Sequence, residues 1–141
     1  MTLIIEYSNG VLDAHFARWL VNQVKRELVH QLNPSKLDKW DDYLNSGETF
    51  EVINVKRVSS REILLSGIRG IVYELSPYTL TIHIDSNQKV FGLNNVKLET
   101  VCKLINYGNT SISGYPLFSE VFRGVRDNIG TYIDRYVSMG I

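Results

Sequence analysis

The side chains able to do chemistry are few, and their spacing sets what they can do. His15 and His30 fall fifteen positions apart on one predicted helix, about 22 Å by helical rise, so they cannot share a metal within one chain. His83 and Asp85 fall on one face of a predicted strand, but two ligands are too few for a metal site and read as a surface pair. The carboxylates Asp41, Asp42, Glu48, Glu51 and Glu99 have no spacing that aims two of them at one substrate. No G-x-S-x-G elbow occurs. Gly67-Ile68-Arg69-Gly70 lacks the further glycine and the lysine of a phosphate loop, and its glycines suit close backbone packing or a bulge. Cys102 is the single cysteine, which excludes an intrachain disulfide and a four-cysteine zinc site. Set among Leu98, Val101 and Ile105 at helical spacing, it is expected to be an inert buried thiol. The expectation is a protein that is not an enzyme and uses no cofactor or metal.

The bulk properties agree with a single domain over 1–141. A chain of 141 residues with 44% apolar residues can build one core without staples. Fifteen Lys and Arg balance fifteen Asp and Glu, so no global field gathers nucleic acid or an anionic membrane. The start, MTLIIEYSNG, has no basic segment leading a long apolar run, so no signal peptide is expected. No stretch approaches about 18 uninterrupted apolar residues, so no membrane span is expected. The chain should work in the cytosol or in something assembled there.

The elements follow from periodicity. Thr2–Tyr7 reads as a strand closed by Ser8-Asn9-Gly10, with Ser8 or Asn9 capping a helix over Val11–Leu32 whose apolar residues recur every four positions. Asn33-Pro34 ends it. Ser35 is expected to cap a short helix carrying Leu37, Trp40, Tyr43 and Leu44, stopped by Asn45-Ser46-Gly47. Thr49–Val58 is rich in β-formers and reads as a strand. Ser59 and Glu62 fit a capping box, with one helical turn through Ile63–Leu65 stopped near Gly67. Strands Ile68–Leu75 and Thr79–Asp85 then flank a Ser76-Pro77-Tyr78 turn. Leu80, Ile82 and Ile84 should face the core, and Thr79, Thr81, His83 and Asp85 the other side. A short Lys89–Phe91 strand follows, and Asn94 or Asn95 should cap the next helix, which runs to Tyr107. Pro116 suits the first turn of a last helix. Phe118, Val121, Phe122, Val125, Ile129, Tyr132, Ile133 and Tyr136 give it one stripe over about six turns. The sum is an α+β fold: a long and a short N-terminal helix, a small antiparallel sheet of three or four strands, and a C-terminal helix pair.

The hinge between those last helices carries a family resemblance. An apolar helix ending in Tyr107-Gly108-Asn109, a short link, then Gly114, Pro116, Leu117 and Phe118 opening a C-terminal helix resembles the neck or tail-completion (head-tail connector) proteins of tailed bacteriophages. Asn106 stands where that family usually has an acidic residue. The resemblance implies a non-enzymatic virion structural protein, made in the host cytoplasm, that forms a ring joining head to tail. Its partners would be copies of itself, portal or connector and tail proteins, with no membrane and at most non-specific contact with passing DNA. Turn tyrosines bury large area at low entropic cost and keep a polar handle, which suits protein interfaces. The expected interface is therefore Tyr107, Gly108, Asn109, Tyr115, Pro116, Tyr78 and His83, with the solvent face of the sheet. A cytosolic interaction or regulatory module that binds one protein partner is the alternative.

Overall fold

The structure, a computed structural model, describes residues 1–7, 13–53, 56–85 and 87–140. Strand β1 (Thr2–Glu6) leads to the long helix α1 (Ala14–Gln31), a 3-10 turn (Pro34–Lys36) and the short helix α2 (Asp38–Asn45). Helix α3 (Ser60–Arg69), strands β2 (Ile71–Leu75) and β3 (Thr79–Ile84), and helices α4 (Leu98–Tyr107), α5 (Leu117–Asp127) and α6 (Ile129–Ser138) complete it. This is the expected α+β class, with a sheet of three strands in the order β1-β3-β2. Both pairings are antiparallel, Ile4 opposite Thr81 and Glu74 opposite Thr81, so the two outer strands run the same way.

One face of the sheet is core. Leu3, Ile5, Ile71, Leu80, Ile82 and Ile84 are all nearly inaccessible. Helix α1 lies over β2 and α5 over β1, presenting Phe16, Leu20, Val24 and Leu28 from one and Phe118, Val121 and Val125 from the other. The alternation along β3 is complete, with Leu80, Ile82 and Ile84 buried and Thr79, Thr81 and His83 half-buried on the opposite face. Burying an aliphatic or aromatic side chain is worth about 1.5–3 kcal/mol, whereas the ion pairs Arg57–Asp42 and Arg61–Glu62 lie on the surface and are each worth roughly 0–1 kcal/mol. Apolar packing therefore holds the fold.

Several elements depart from the expected boundaries, each for a local reason. Asp13 caps α1, its carboxylate accepting from the Phe16 N–H at 2.9 Å, while Ser8 and Asn9 lie outside the described residues. Asn33, not Ser35, accepts from the Ser35 N–H and starts the 3-10 turn that precedes α2. Among the described residues of Thr49–Val58 no strand forms. Only Val52 bridges to Leu93 there, with Ile53 N–H on the Gly92 carbonyl, and residues 54–55 lie outside the described residues. Likewise Lys89–Phe91 makes a single bridge, Lys89 to Lys97, so the two segments clip loops together without extending the sheet. Neither Asn94 nor Asn95 caps α4: the Asn94 amide donates to Glu51 at 2.7 Å, Asn95 takes a left-handed turn at φ 56, and the cap position is Lys97.

Helix α3 has ten residues instead of one turn, because Gly67 is a contact and not a stop. Ser59 does cap it, accepting from the Glu62 N–H at 3.2 Å. A Cβ built on Gly67 would meet the Cys102 sulfur at 2.7 Å, so this glycine lets α3 and α4 approach closely. The predicted single C-terminal helix is broken into α5 and α6 at Asn128, whose side chain donates to the Gly124 carbonyl at 2.8 Å. That bond competes with the helical ladder, and the flanking Gly124 and Gly130 weaken helix propensity by about 1 kcal/mol each.

Gly67→Ala is expected to destabilise the chain by about 1–2 kcal/mol, the overpacking cost less the gain in helix propensity. Adding Cys102→Ala should recover part of that loss in a urea-denaturation double-mutant cycle, and strict additivity would show that the α3–α4 contact is not its source.

Candidate assembly surface

The Tyr107–Tyr115 link is a tight crossing of the chain over itself. Gly108 sits at φ +69, its N–H donating to the Leu104 carbonyl at 2.7 Å, and it bridges to Ser113. A Cβ on Gly108 would lie 2.4 Å from the Gly114 nitrogen, and one on Gly114 would lie 2.5 Å from the Asn106 carbonyl oxygen. Both positions therefore exclude any side chain. The Asn109 carboxamide oxygen accepts from the Ser111 and Ile112 N–H groups, and its NH2 donates to the Tyr43 hydroxyl at 2.8 Å. The Tyr115 hydroxyl accepts from the Asn33 N–H at 2.9 Å and donates to the Gln31 carbonyl at 3.3 Å, tying the link to the end of α1.

Asn106, just before the aromatic-glycine pair, is buried. Its Oδ1 accepts from the Ser119 N–H at 3.1 Å and its Nδ2 donates to the Ser119 hydroxyl. Pro116 at the cap position of α5 makes no side-chain cap bond, so Asn106 satisfies an orphan donor of the first turn from another helix. An acidic side chain would supply the same acceptor, with the serine hydroxyl turned to donate.

These contacts divide the expected interface residues. Gly108, Asn109 and Tyr115 direct their polar groups or their close packing into the chain. Pro116 is exposed and borders a depression with Gly114, Tyr115, Ser35, Lys36, Asp38 and Lys39. Tyr107 and Tyr78 are 59% and 69% exposed. They lie at opposite ends of the sheet, Tyr107 beside Met1–Ile4 and Tyr78 beside Glu6 and Tyr7. His83 stands on the outer face, its Nδ1 3.0 Å from the Ile84 carbonyl oxygen and its Nε2 3.8 Å from the Glu74 carboxylate. The residues thus surround the sheet and do not form one patch.

Sequence reasoning missed other members of that surface. On the outer face, Ile4 opposes Thr81 and Val72 opposes His83, and both are exposed. The alternation of Thr2–Glu6 carried that signal for Ile4. A groove beside β1 is lined by Ile4, Tyr107, Phe122, Arg123 and Arg126, a convergence that only the tertiary fold creates. Phe91, on the loop before α4, is 80% exposed. It borders a cleft of about 220 Å³ with Lys89, Val58 and Ile63.

Cys102 is fully buried. Burial, then the Glu99 carboxylate, pushes its thiol up to about 12, which keeps it protonated and poorly nucleophilic at neutral pH. Among the described residues no group of three or more His, Cys, Asp and Glu side chains is placed to hold a metal ion, and no helix is long and apolar enough to cross a membrane. Comparison with family models, curated proteins and solved structures gives no match.

Asn106→Asp should stay within about 1 kcal/mol of the parent at pH 7, while Asn106→Leu, which strands the Ser119 N–H, should lose about 1–3 kcal/mol in chemical denaturation. Because the folded thiol holds its proton more tightly than the unfolded chain, whose value is near 9.0, the Cys102 contribution is intact below that pH. It should fall away as pH rises towards 12. Alkaline denaturation of the parent and of Cys102→Ala should therefore diverge only above pH 9.

Proposed function

We propose that this chain is a non-enzymatic structural subunit of a tailed-bacteriophage virion, repeating as a ring in the neck or tail-completion position between head and tail. The observation that carries the reading is the form of the sheet. Strands β1 and β2 are both edges, they point the same way on either side of β3, and among the described residues neither outer edge is paired. Ring closure needs two different mutually complementary faces on one subunit. Two edges offset across one sheet meet that need, because β2 of one copy can approach β1 of the next by a rotation. Exposed Ile4 and Val72 lie on these edge strands, where side chains of a neighbour's strand would pack beside them.

The Tyr107-Gly108-Asn109 and Gly114 to Phe118 pattern supports the same reading. Its departure, Asn106, keeps the acceptor that an acidic residue would provide to Ser119. A zero formal net charge suits a lumen that DNA passes without being held. The neighbours would then be its own copies and the portal or connector and tail proteins, and the place of action the virion after synthesis in the host cytoplasm. The competing reading, a module that binds one protein partner, is favoured only by the groove beside β1, where Tyr107, Arg123 and Arg126 flank an open strand edge.

Light scattering and native mass spectrometry test this. The chain should form a closed oligomer whose mass is a multiple of 16.1 kDa. Ile4→Lys with Val72→Lys should abolish it while leaving the circular dichroism of the monomer unchanged. A chain that stays monomeric at every concentration, and is missing from purified particles, would refute the ring and leave the single-partner module.

A further inference from the structure

Helix α6 is attached unlike the others. None of its residues is buried, whereas α1, α4 and α5 each bury most of one face. Its half-buried Ile129, Tyr132, Ile133 and Tyr136 pack against the core, and its ring contacts form one aromatic seam against α1. Tyr136 meets Phe16 edge-on at 5.2 Å and Trp19 at 5.3 Å. Arg135 lies 5.8 Å from the Trp19 ring and donates to the Gln23 carboxamide at 3.3 Å.

The connection to α5 is a single residue. Asn128 is both the last cap of α5 and the first of α6, and helical bonds continue on both sides of it, Asn128 N–H to Gly124 and Tyr132 N–H to Asn128. Two glycines bracket it. Neither Gly124 nor Gly130 has a positive φ, and a Cβ at either would meet nothing within 4 Å. Backbone conformation and packing therefore account for neither. What two such glycines do is soften a helix at both ends of a break.

We propose that α6 is an exchangeable arm, which turns about the Gly124–Gly130 segment, leaves its own α1 and takes the same seat on α1 of a second copy. The second copy is the fitting occupant because it offers the same Phe16, Trp19 and Gln23 that α6 already meets within one chain. A freed arm in a lone molecule would expose Phe16, now 1% accessible, together with Tyr132, Ile133 and Tyr136. Exchange restores every ring contact and leaves only the hinge changed, and a one-residue connection is the kind that invites it. Each copy giving its arm to the next is a head-to-tail contact, so the inference rests on the ring reading and adds a second link between its members beside the sheet edges.

The test uses the full chain carrying Gln23→Cys and Arg135→Cys, oxidised after assembly and run on a non-reducing denaturing gel, with light scattering beforehand. Exchange yields covalent dimers and a ladder from the assembled fraction. Assembled particles that hold only intrachain bonds overturn the exchange and leave the ring standing, and monomer at all concentrations overturns both. Hydrogen exchange on the unaltered chain serves if that variant does not fold. The α6 amides of the dilute monomer should exchange roughly tenfold or more faster than those of α5 and gain protection on assembly. Equal protection of α5 and α6 in the dilute monomer, with no change on assembly, counts against the arm.

Discussion

The crossing of the chain at Gly108 and Gly114 constrains everything around it. Here two backbone segments pass so closely that neither can carry a side chain, and the Tyr115 N–H reaches back to the Ile105 carbonyl at 2.6 Å. The crossing fixes the direction in which α5 leaves α4. From there, α5 is laid across β1, and Phe118 and Val121 complete the apolar layer beneath the sheet. Asn106 and Tyr115 secure the crossing with buried or long-range bonds to α5, to the Gln31 carbonyl at the end of α1 and to the Asn33 N–H just beyond it. A buried amide that meets two partners on another helix specifies one arrangement, since leaving it unpaired costs more than making it gains.

A consequence of packing all helices on one side is that the opposite face of the sheet is left to threonines, His83, Glu74 and the two aliphatic residues Ile4 and Val72. It is neither a core nor a fully polar surface. Open sheets are ordinarily protected by charge or cover at their edges, and here the edge strands mix the two characters, with Ile4 and Glu6 on β1 and Val72 and Glu74 on β2. Such a surface tolerates water and still gains from burial. That intermediate character would suit the assembling subunit proposed above.

The sequence was most informative where one period ran unbroken. The four-residue recurrence through Phe16, Leu20, Val24 and Leu28 marked α1, and the alternation from Thr79 to Ile84 marked β3 with its buried face. It misled where a residue had two physical roles. Gly67 reads as a helix stop, yet its lack of a side chain admits the Cys102 sulfur inside a continuous helix. The stripe from Phe118 to Tyr136 keeps its spacing across Asn128, so periodicity alone could not see the break that a side-chain bond to Gly124 creates. The tyrosines show the same limit. Tyr107 and Tyr115 both flank the link, but only tertiary contacts send one to solvent and the other to the end of α1. The pairing of β1 with β3 was similarly invisible, because nothing in Thr2–Glu6 specifies a partner so far along the chain.

That distant pairing shapes how the molecule must be born. Thr2 is joined to His83, so the opening strand emerges from the ribosome with no mate, and at about 5–20 residues per second it waits on the order of 4 to 15 s for one. During that interval Leu3, Ile4 and Ile5 are without their strand partner, and an unpaired apolar strand is the kind of segment prone to associate. Slower synthesis through α1 to α3 lengthens the time in which such unpaired strands can meet each other.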